Sequence, residues 1–421
     1  GRDGHGHERW RVSLRDRNEI VGGTFPMVSH SRFDGHLLLV SNGLQLLAVD
    51  TLGVPGTSTA HILWTKDLGE LPNVVGMGMQ GVPMRIGIRQ QMNAWGGMAR
   101  ATPTSTGPVF SGCVVFQRRR NLTAVDPLTG DTLWVRRDQP AGCELFGDAE
   151  RLYVVAPNTT EAVVLRAIDG QELGRRQVPR NDERMTTLGS LVLVWSQPNA
   201  GGKATLKLFD PWEQADIWQH AFDAESFRAL ADDEAVGVLE KNGRFVLLSL
   251  ADGKVAIDAQ LDPETGLNEI HLFRAETTDL LITSRPAGRR NMQFQQAPGM
   301  MGSSLINGNV HGFDRANGAK VFSRPIENKL LSINQPAELP VLLFAATPQR
   351  QVPGSPQQGN LLGIDKRNGR IVFDDVQAQP GYIEIEGDPL RHEVLLRTPG
   401  SSVKLVFTDQ PYAEERAKPK R

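Results

Sequence analysis

Leu122–Trp134, LTAVDPLTGDTLW, is the stretch that decides the reading of this chain. Its apolar residues alternate from Leu122 through Ala124, the two-residue period of a strand. Asp126 ends that strand. Pro127 to Gly130 carries turn chemistry, Pro presetting φ and Gly supplying positive φ. Leu133 and Trp134 open a second strand. A lone hairpin cannot bury its own apolar face, so the stretch calls for others of its kind.

The chain contains them. LKLFDPWEQADIW places Trp218 eight residues after Asp210, the interval from Asp126 to Trp134. VHGFDRANGAKVF places Phe322 eight after Asp314, and LLGIDKRNGRIVF places Phe373 eight after Asp365. Gly318 and Gly369 stand where Gly130 does. LLAVDTLGVPGTSTAHILW keeps Asp50 and Trp64 around a longer turn. VVLRAIDGQELG and VLLSLADGKVAI keep the turn glycine (Gly170, Gly253) and lose both the Asp and the aromatic, with Gly174 and Ile257 in the aromatic's slot. An eighth unit is split between the ends. VKLVFTD brings Asp409 with no aromatic strand after it, and ERWRVSLRD brings Trp10 with no Asp strand before it.

These repeats predict an all-β chain, an eight-bladed β-propeller of four-stranded antiparallel blades. The N-terminal strand closes the ring, so that no sheet edge stays open. A single propeller domain spans 1–421. Within it, 1–7 is a flexible leader, 8–15 the closing strand, 70–106 and 286–307 loop insertions, 347–358 a further polar insertion, and 410–421 a flexible charged tail.

Composition agrees. Forty-three Gly and 26 Pro in 421 residues suit a turn-rich β protein. A formal net charge of −2 gives no global field to draw nucleic acid or anionic membrane. No run of ~18 apolar residues is present to span a bilayer. Two cysteines, Cys113 and Cys143, are too few for a disulfide framework. They read as two buried thiols in neighbouring blades, with a bridge as the alternative. The chain opens at Gly1 without Met or an apolar leader and reads as a mature chain or an excised segment.

The hairpin with Asp, turn Gly and Trp or Phe resembles the repeat of quinoprotein-like (PQQ-type) eight-bladed propellers. The resemblance covers nearly the whole chain and implies that the aromatic packs between adjacent blades. That family holds pyrroloquinoline-quinone alcohol dehydrogenases and also non-catalytic outer-membrane assembly scaffolds, so the resemblance implies the fold and leaves the activity open. It also implies extracytoplasmic, periplasmic placement. The quinone enzymes carry a vicinal Cys-Cys pair, a Trp floor and a calcium held by Glu, Asn and Asp. Here the cysteines are thirty positions apart, so the vicinal pair is absent; Trp95 and Trp195 are both candidates to face the funnel, with neither assigned to the floor position.

Other motifs carry little. Gly76-Met-Gly78-Met-Gln-Gly81 matches GxGxxG, but Val82-Pro83 follows where a helix must start. His5 and His7 lack further converging ligands. Asn121-Leu-Thr123 and Asn158-Thr-Thr160 match the glycosylation sequon, a triplet frequent by chance. No GxSxG, HExxH or P-loop is present.

The insertions are more informative. In a four-stranded blade, the links from strand two to three and from blade to blade lie on one face. Arg85, Arg89, Trp95 and Arg100 of the first insertion should therefore meet Arg289, Arg290 and Gln293 of the second. Five arginines with no acid between Leu71 and Thr106 or between Pro286 and Asn307 make that face positive. Met and Gln add adaptable contact. The function expected is a non-catalytic scaffold binding a protein, peptide or glycan, as a monomer or one domain of a larger exported polypeptide, without cofactor, metal, nucleic acid or catalytic residues. The alternative is a quinone-dependent or sugar-directed oxidoreductase with a diverged site.

Overall fold

The structure is a computed structural model. It describes residues 30–41, 45–52, 61–67, 106–110, 112–197, 202–232, 234–286, 303–332, 335, 338–346, 359–378, 384–388, 391, 393–398 and 401–406. The described residues form two compact units. One runs to Thr265 and includes Glu269–Leu272; the other takes Gly266–Asn268 and the chain from Phe273 onward. All regular structure among the described residues is strand.

Five four-stranded antiparallel sheets make up the first unit, each with its strands in sequence order. The first sheet is β1 (His30–Asp34), β2 (Leu37–Ser41), β3 (Gln45–Asp50) and β4 (His61–Asp67). The second is β5 (Thr106–Phe110), β6 (Cys113–Arg118), β7 (Asn121–Val125) and β8 (Thr132–Arg136). The third is β9 (Glu144–Gly147), β10 (Arg151–Val155), β11 (Glu161–Arg166) and β12 (Glu172–Gln177). The fourth is β13 (Arg184–Leu188), β14 (Leu191–Ser196), β15 (Lys203–Asp210) and β16 (Ala215–Asp223). The fifth is β17 (Phe227–Ala231), β18 (Ala235–Leu239), β19 (Arg244–Ser249) and β20 (Val255–Gln260).

The core lies between consecutive sheets. On β6, Val114 and Phe116 enter the cluster shared with the first sheet. Cys113 and Val115 enter the one shared with the third. On β14, Val192 and Val194 face the third sheet, and Leu193 and Trp195 face the fifth. Successive side chains leave a strand on opposite faces. A sheet buried on both faces therefore needs a continuous apolar run rather than alternation. Each buried Val or Leu contributes about 1.5–3 kcal/mol of transfer free energy.

The remaining strands form a seven-stranded sheet and a three-stranded one. The larger runs through β21 (Glu269–Arg274), β22 (Thr278–Ser284), β23 (Ser303–Asp314), β24 (Lys320–Ser332), β25 (Val341–Ala346), β26 (Gly359–Asp365) and β27 (Ile371–Ala378). The smaller is β28 (Glu384–Asp388), β29 (Glu393–Thr398) and β30 (Ser401–Val406). Leu280, Ile282, Val310, Leu342 and Ile364 share one core, and Leu343, Leu361, Ile385 and Val394 another.

The chain is an all-β propeller, with a blade count that differs from the expected eight. Six four-stranded units are present among the described residues: the five separate sheets and β21–β24. The physical reason is the length of β24. Its 13 residues pair with β23, and its far end pairs on with β25 through Lys329↔Ala346 to Leu331↔Phe344. The strand assigned to open a separate seventh blade is thus a continuation of β24. The last sheet has three strands. The expected closing strand, 8–15 with Trp10, lies outside the described residues. Ser303–Asn307, assigned to the second insertion, belongs to β23.

Candidate functional site

The face expected from the insertions falls outside the described residues: Arg85, Arg89, Trp95, Arg100, Arg289, Arg290 and Gln293. So does Asp409. Apart from Trp10, the remaining repeat residues are described, and they meet at the junctions between sheets.

The five hairpins that keep the Asp are built alike. Asp126 Oδ1 accepts the N–H groups of Leu128 and Thr129 at 2.8 and 2.9 Å. Gly130 closes the turn at φ +73°. Asp50, Asp210, Asp314 and Asp365 each accept the N–H two residues on. A register shift then follows the aromatic's pairing. Ala124 faces Trp134, Ala48 faces Trp64, Leu208 faces Trp218, Gly312 faces Phe322 and Gly363 faces Phe373, each with a bulge directly after.

The aromatic then reaches the turn of the following hairpin. Trp64 Nε1 donates to Pro127 O at 2.8 Å, Trp134 Nε1 to Ala167 O at 3.0 Å and Trp218 Nε1 to Leu250 O at 3.0 Å. The glycine of the receiving turn leaves room for the ring. A Cβ on Gly130 would stand 2.6 Å from Trp64, one on Gly170 2.8 Å from Trp134, and one on Gly253 2.5 Å from Trp218. Within the second unit, Gly369 takes Phe322 in the same way, at 2.3 Å. A second donor, two residues after the aromatic, often joins. Arg136 bonds Gly170 O, His220 bonds Gly253 O and Arg324 bonds Gly369 O.

Sequence reading missed how the third and fifth hairpins make their turns. Arg166 and Ser249 stand at the Asp position, and the capping carboxylate moves three residues on. Asp169 Oδ1 accepts Gln171 N–H at 2.9 Å, and Asp252 Oδ1 accepts Lys254 N–H at 3.2 Å. The Asp-Gly dipeptides were the available signal.

The junction between the third and fourth sheets lacks the aromatic lock. Gly174 pairs with Val164 in the aromatic's slot, and the receiving turn has Gln214, at φ +55°, where the others have glycine. The opening left is a cleft of about 400 Å³, lined by Glu161, Arg175, Arg176, Gln177, Trp212 and Gln214. Arg176 occupies the second-donor position. Its Nε donates to Trp212 O at 3.2 Å, and its guanidinium lies 4.1 Å from the Trp212 ring centre. The Arg151 guanidinium lies over the same ring at 4.4 Å. Gln214 Nε2 donates to Gln177 O at 2.9 Å. Arg175 pairs with Glu161 at 2.8 Å. Its hydrogen bond to Glu161, and then that carboxylate's charge, push the guanidinium's pKa further up.

Two sequence readings are settled by packing. Trp195, a candidate for a floor facing the funnel, is buried between the fourth and fifth sheets, under the Arg228 guanidinium at 4.7 Å and beside Phe222. Its apolar neighbours lie on that face because β14 alternates. Cys113 and Cys143 are free, buried thiols. Burial pushes Cys113 up to about 12 and raises Cys143 as well. Among the described residues no group of three or more His, Cys, Asp or Glu is placed to hold a metal ion, and no helix is long and apolar enough to cross a membrane.

The family described as outer membrane protein assembly factor BamB matches residues 3–372. The chain belongs to this family. No curated protein matches it. Among solved structures, BamB from Moraxella catarrhalis is 12% identical, over 91% of this chain and 95% of that one, with a TM-score of 0.35. The C-terminal WD40 domain of Sif2 is 9% identical, over 88% and 92%, with a TM-score of 0.39. Dihydro-heme d1 dehydrogenase NirN in complex with DHE is 13% identical, over 88% and 70%, with a TM-score of 0.37. Against this BamB-type background, the open junction at Gly174 and Gln214 is where the chain departs from its own repeat.

Proposed function

We propose that this protein is a non-catalytic propeller scaffold that holds a protein or peptide partner in an extracytoplasmic compartment. The observation that carries the reading is the match of residues 3–372 to the BamB assembly-factor family, whose description places it in outer membrane protein assembly. The locked junctions support it, because sheets tied through Trp64, Trp134 and Trp218 make a rigid frame on which loops can present a binding surface. The five insertion arginines, with Trp95 and Gln293, form part of that surface in this reading. The protein acts as a monomer or as one domain of a larger periplasmic polypeptide.

The test is affinity capture with the full chain from the envelope fraction of its source cell, followed by mass spectrometry. Recovery of outer-membrane assembly components is expected. Stoichiometric binding of pyrroloquinoline quinone with Ca²⁺, together with alcohol- or sugar-dependent dye reduction, would sink the scaffold reading.

A further inference from the structure

We propose that the cleft between the third and fourth sheets binds an acidic segment of a partner polypeptide, with one of its carboxylates on Arg176. This rests on the scaffold reading above. The starting point is the way Arg176 is held. Its guanidinium stacks on Trp212 at 4.1 Å, Nε is fixed on Trp212 O and Nη1 on Arg175 O. Nη2 has no bond among the described residues, and no carboxylate there pairs with Arg176.

The surrounding acids are already engaged. Glu161 pairs with Arg175 at 2.8 Å, Glu172 with Arg136 at 3.2 Å, and Asp210 accepts the N–H groups of Trp212 and Glu213. A guanidinium oriented in advance, with donors left over, is one half of a charge-assisted pair. Its side-chain entropy is already spent, so a carboxylate arriving there gains more than one meeting a free arginine. Arg175 stands beside it with 61% of its side chain exposed and adds a second positive charge.

The shape of the site selects a peptide over a small anion. β12, which carries both arginines, is the outermost strand of its sheet. Along its outer side no strand pairs with it among the described residues; the carbonyls of Arg175 and Gln177 already accept from Arg176 Nη1 and Gln214 Nε2, so an extended segment would add through the N–H groups of this edge. The cleft, about 400 Å³, lies within the range of side-chain- and ligand-sized pockets, about 300–1,000 Å³. An extended chain with an acidic side chain turned inward uses the edge, the cleft and Arg176 together.

The experiment uses the full chain and a short fluorescein-labelled peptide alternating Glu and Thr, with a twin carrying Gln for Glu, followed by anisotropy at low ionic strength. The Glu peptide should bind at least about tenfold tighter than its twin. Arg176→Met should weaken it at least about tenfold, and Arg176→Lys, which keeps the charge but loses the planar fork, should fall between. Arg175→Gln, which leaves the Trp212 stack untouched, should weaken binding by a smaller factor and covers the case in which Arg176→Met melts early. Equal binding of the two peptides, unchanged binding by Arg176→Met, or displacement by anionic lipid vesicles lacking protein would overturn the proposal. If Arg176→Met captures the same envelope partners as the unaltered chain, the cleft proposal falls while the scaffold reading stands.

Discussion

The Trp64 indole N–H donates to the Pro127 carbonyl at 2.8 Å, across 63 positions of sequence. The ring leans on Gly130 of the same turn. One hairpin's last strand is thus completed by the next hairpin's turn, and the relation recurs at Trp134–Gly170 and Trp218–Gly253. Stability in the first unit becomes a chain of nearest-neighbour couplings.

Both halves of such a lock should matter. Trp218 is 8% exposed, and Trp218→Ala is expected to cost about 3–5 kcal/mol. Gly253→Ala combines φ +68° with a Cβ 2.5 Å from the Trp218 ring, and should cost roughly 2–5 kcal/mol. Gly112→Ala meets Ile168 only at 3.6 Å and should stay within about 0.5 kcal/mol. Urea unfolding measures all three, and equal midpoints for Gly253→Ala and Gly112→Ala would contradict the lock.

Hydrogen exchange should locate the weakest junction. Repeat degradation in the sequence suggests the third and fifth hairpins. Both receive the preceding ring, on Gly170 and Gly253, but in the fifth Ile257 fills the aromatic's slot and is 2% exposed. In the third, Gly174 sends no ring to the fourth sheet. Amides of β12 should therefore exchange faster than those of β8 and β20. Protection of β12 equal to that of β8 would remove the weak junction.

Acid should act through the turn carboxylates. The N–H groups of Thr129 and Leu128 hold Asp126 below its ordinary pKa. A folded pKa below the unfolded one gives stability that is complete above about pH 3.9, the ordinary Asp value. It is lost as pH falls through the lower folded value. Asp126→Asn should destabilise the protein at neutral pH and flatten the acid limb of the stability curve. An unaltered slope below pH 4 in urea titrations would exclude Asp126 as a contributor.

A buried ion pair offers a cycle. Arg184 on β13 and Glu144 on β9 meet at 2.7 Å with side chains 3% and 13% exposed. Burial pushes Glu144 up and Arg184 down. Arg184→Met leaves a carboxylate stranded and should cost about 3–5 kcal/mol, and adding Glu144→Leu should recover most of it. Additive losses would show that the two side chains do not depend on each other.

The three-stranded sheet leaves β30 as its outermost strand, with Val406 exposed. If residues 8–15 complete that sheet, deleting residues 1–15 should lower the melting temperature and release the β30 amides to exchange. Identical β30 protection in the two chains would count against the closing strand.

The sequence by itself determined the hairpin. Asp126, Gly130 and Trp134 state a strand, a turn and a strand within thirteen residues, and copies at a fixed interval of eight state a propeller. Those signals are local, carried by φ, by a side-chain cap and by apolar period. Only the tertiary structure decided what each aromatic touches, because its partner lies 63, 33 or 32 positions away. It also joined β24 to β25, since strand length and pairing are settled by neighbouring strands rather than by the strand itself. The cleft at Arg176 was legible only as two absences, the aromatic at Gly174 and the glycine at Gln214. The sequence shows each alone; packing places them at one junction, where a missing ring and a filled turn leave a charged opening instead of a lock.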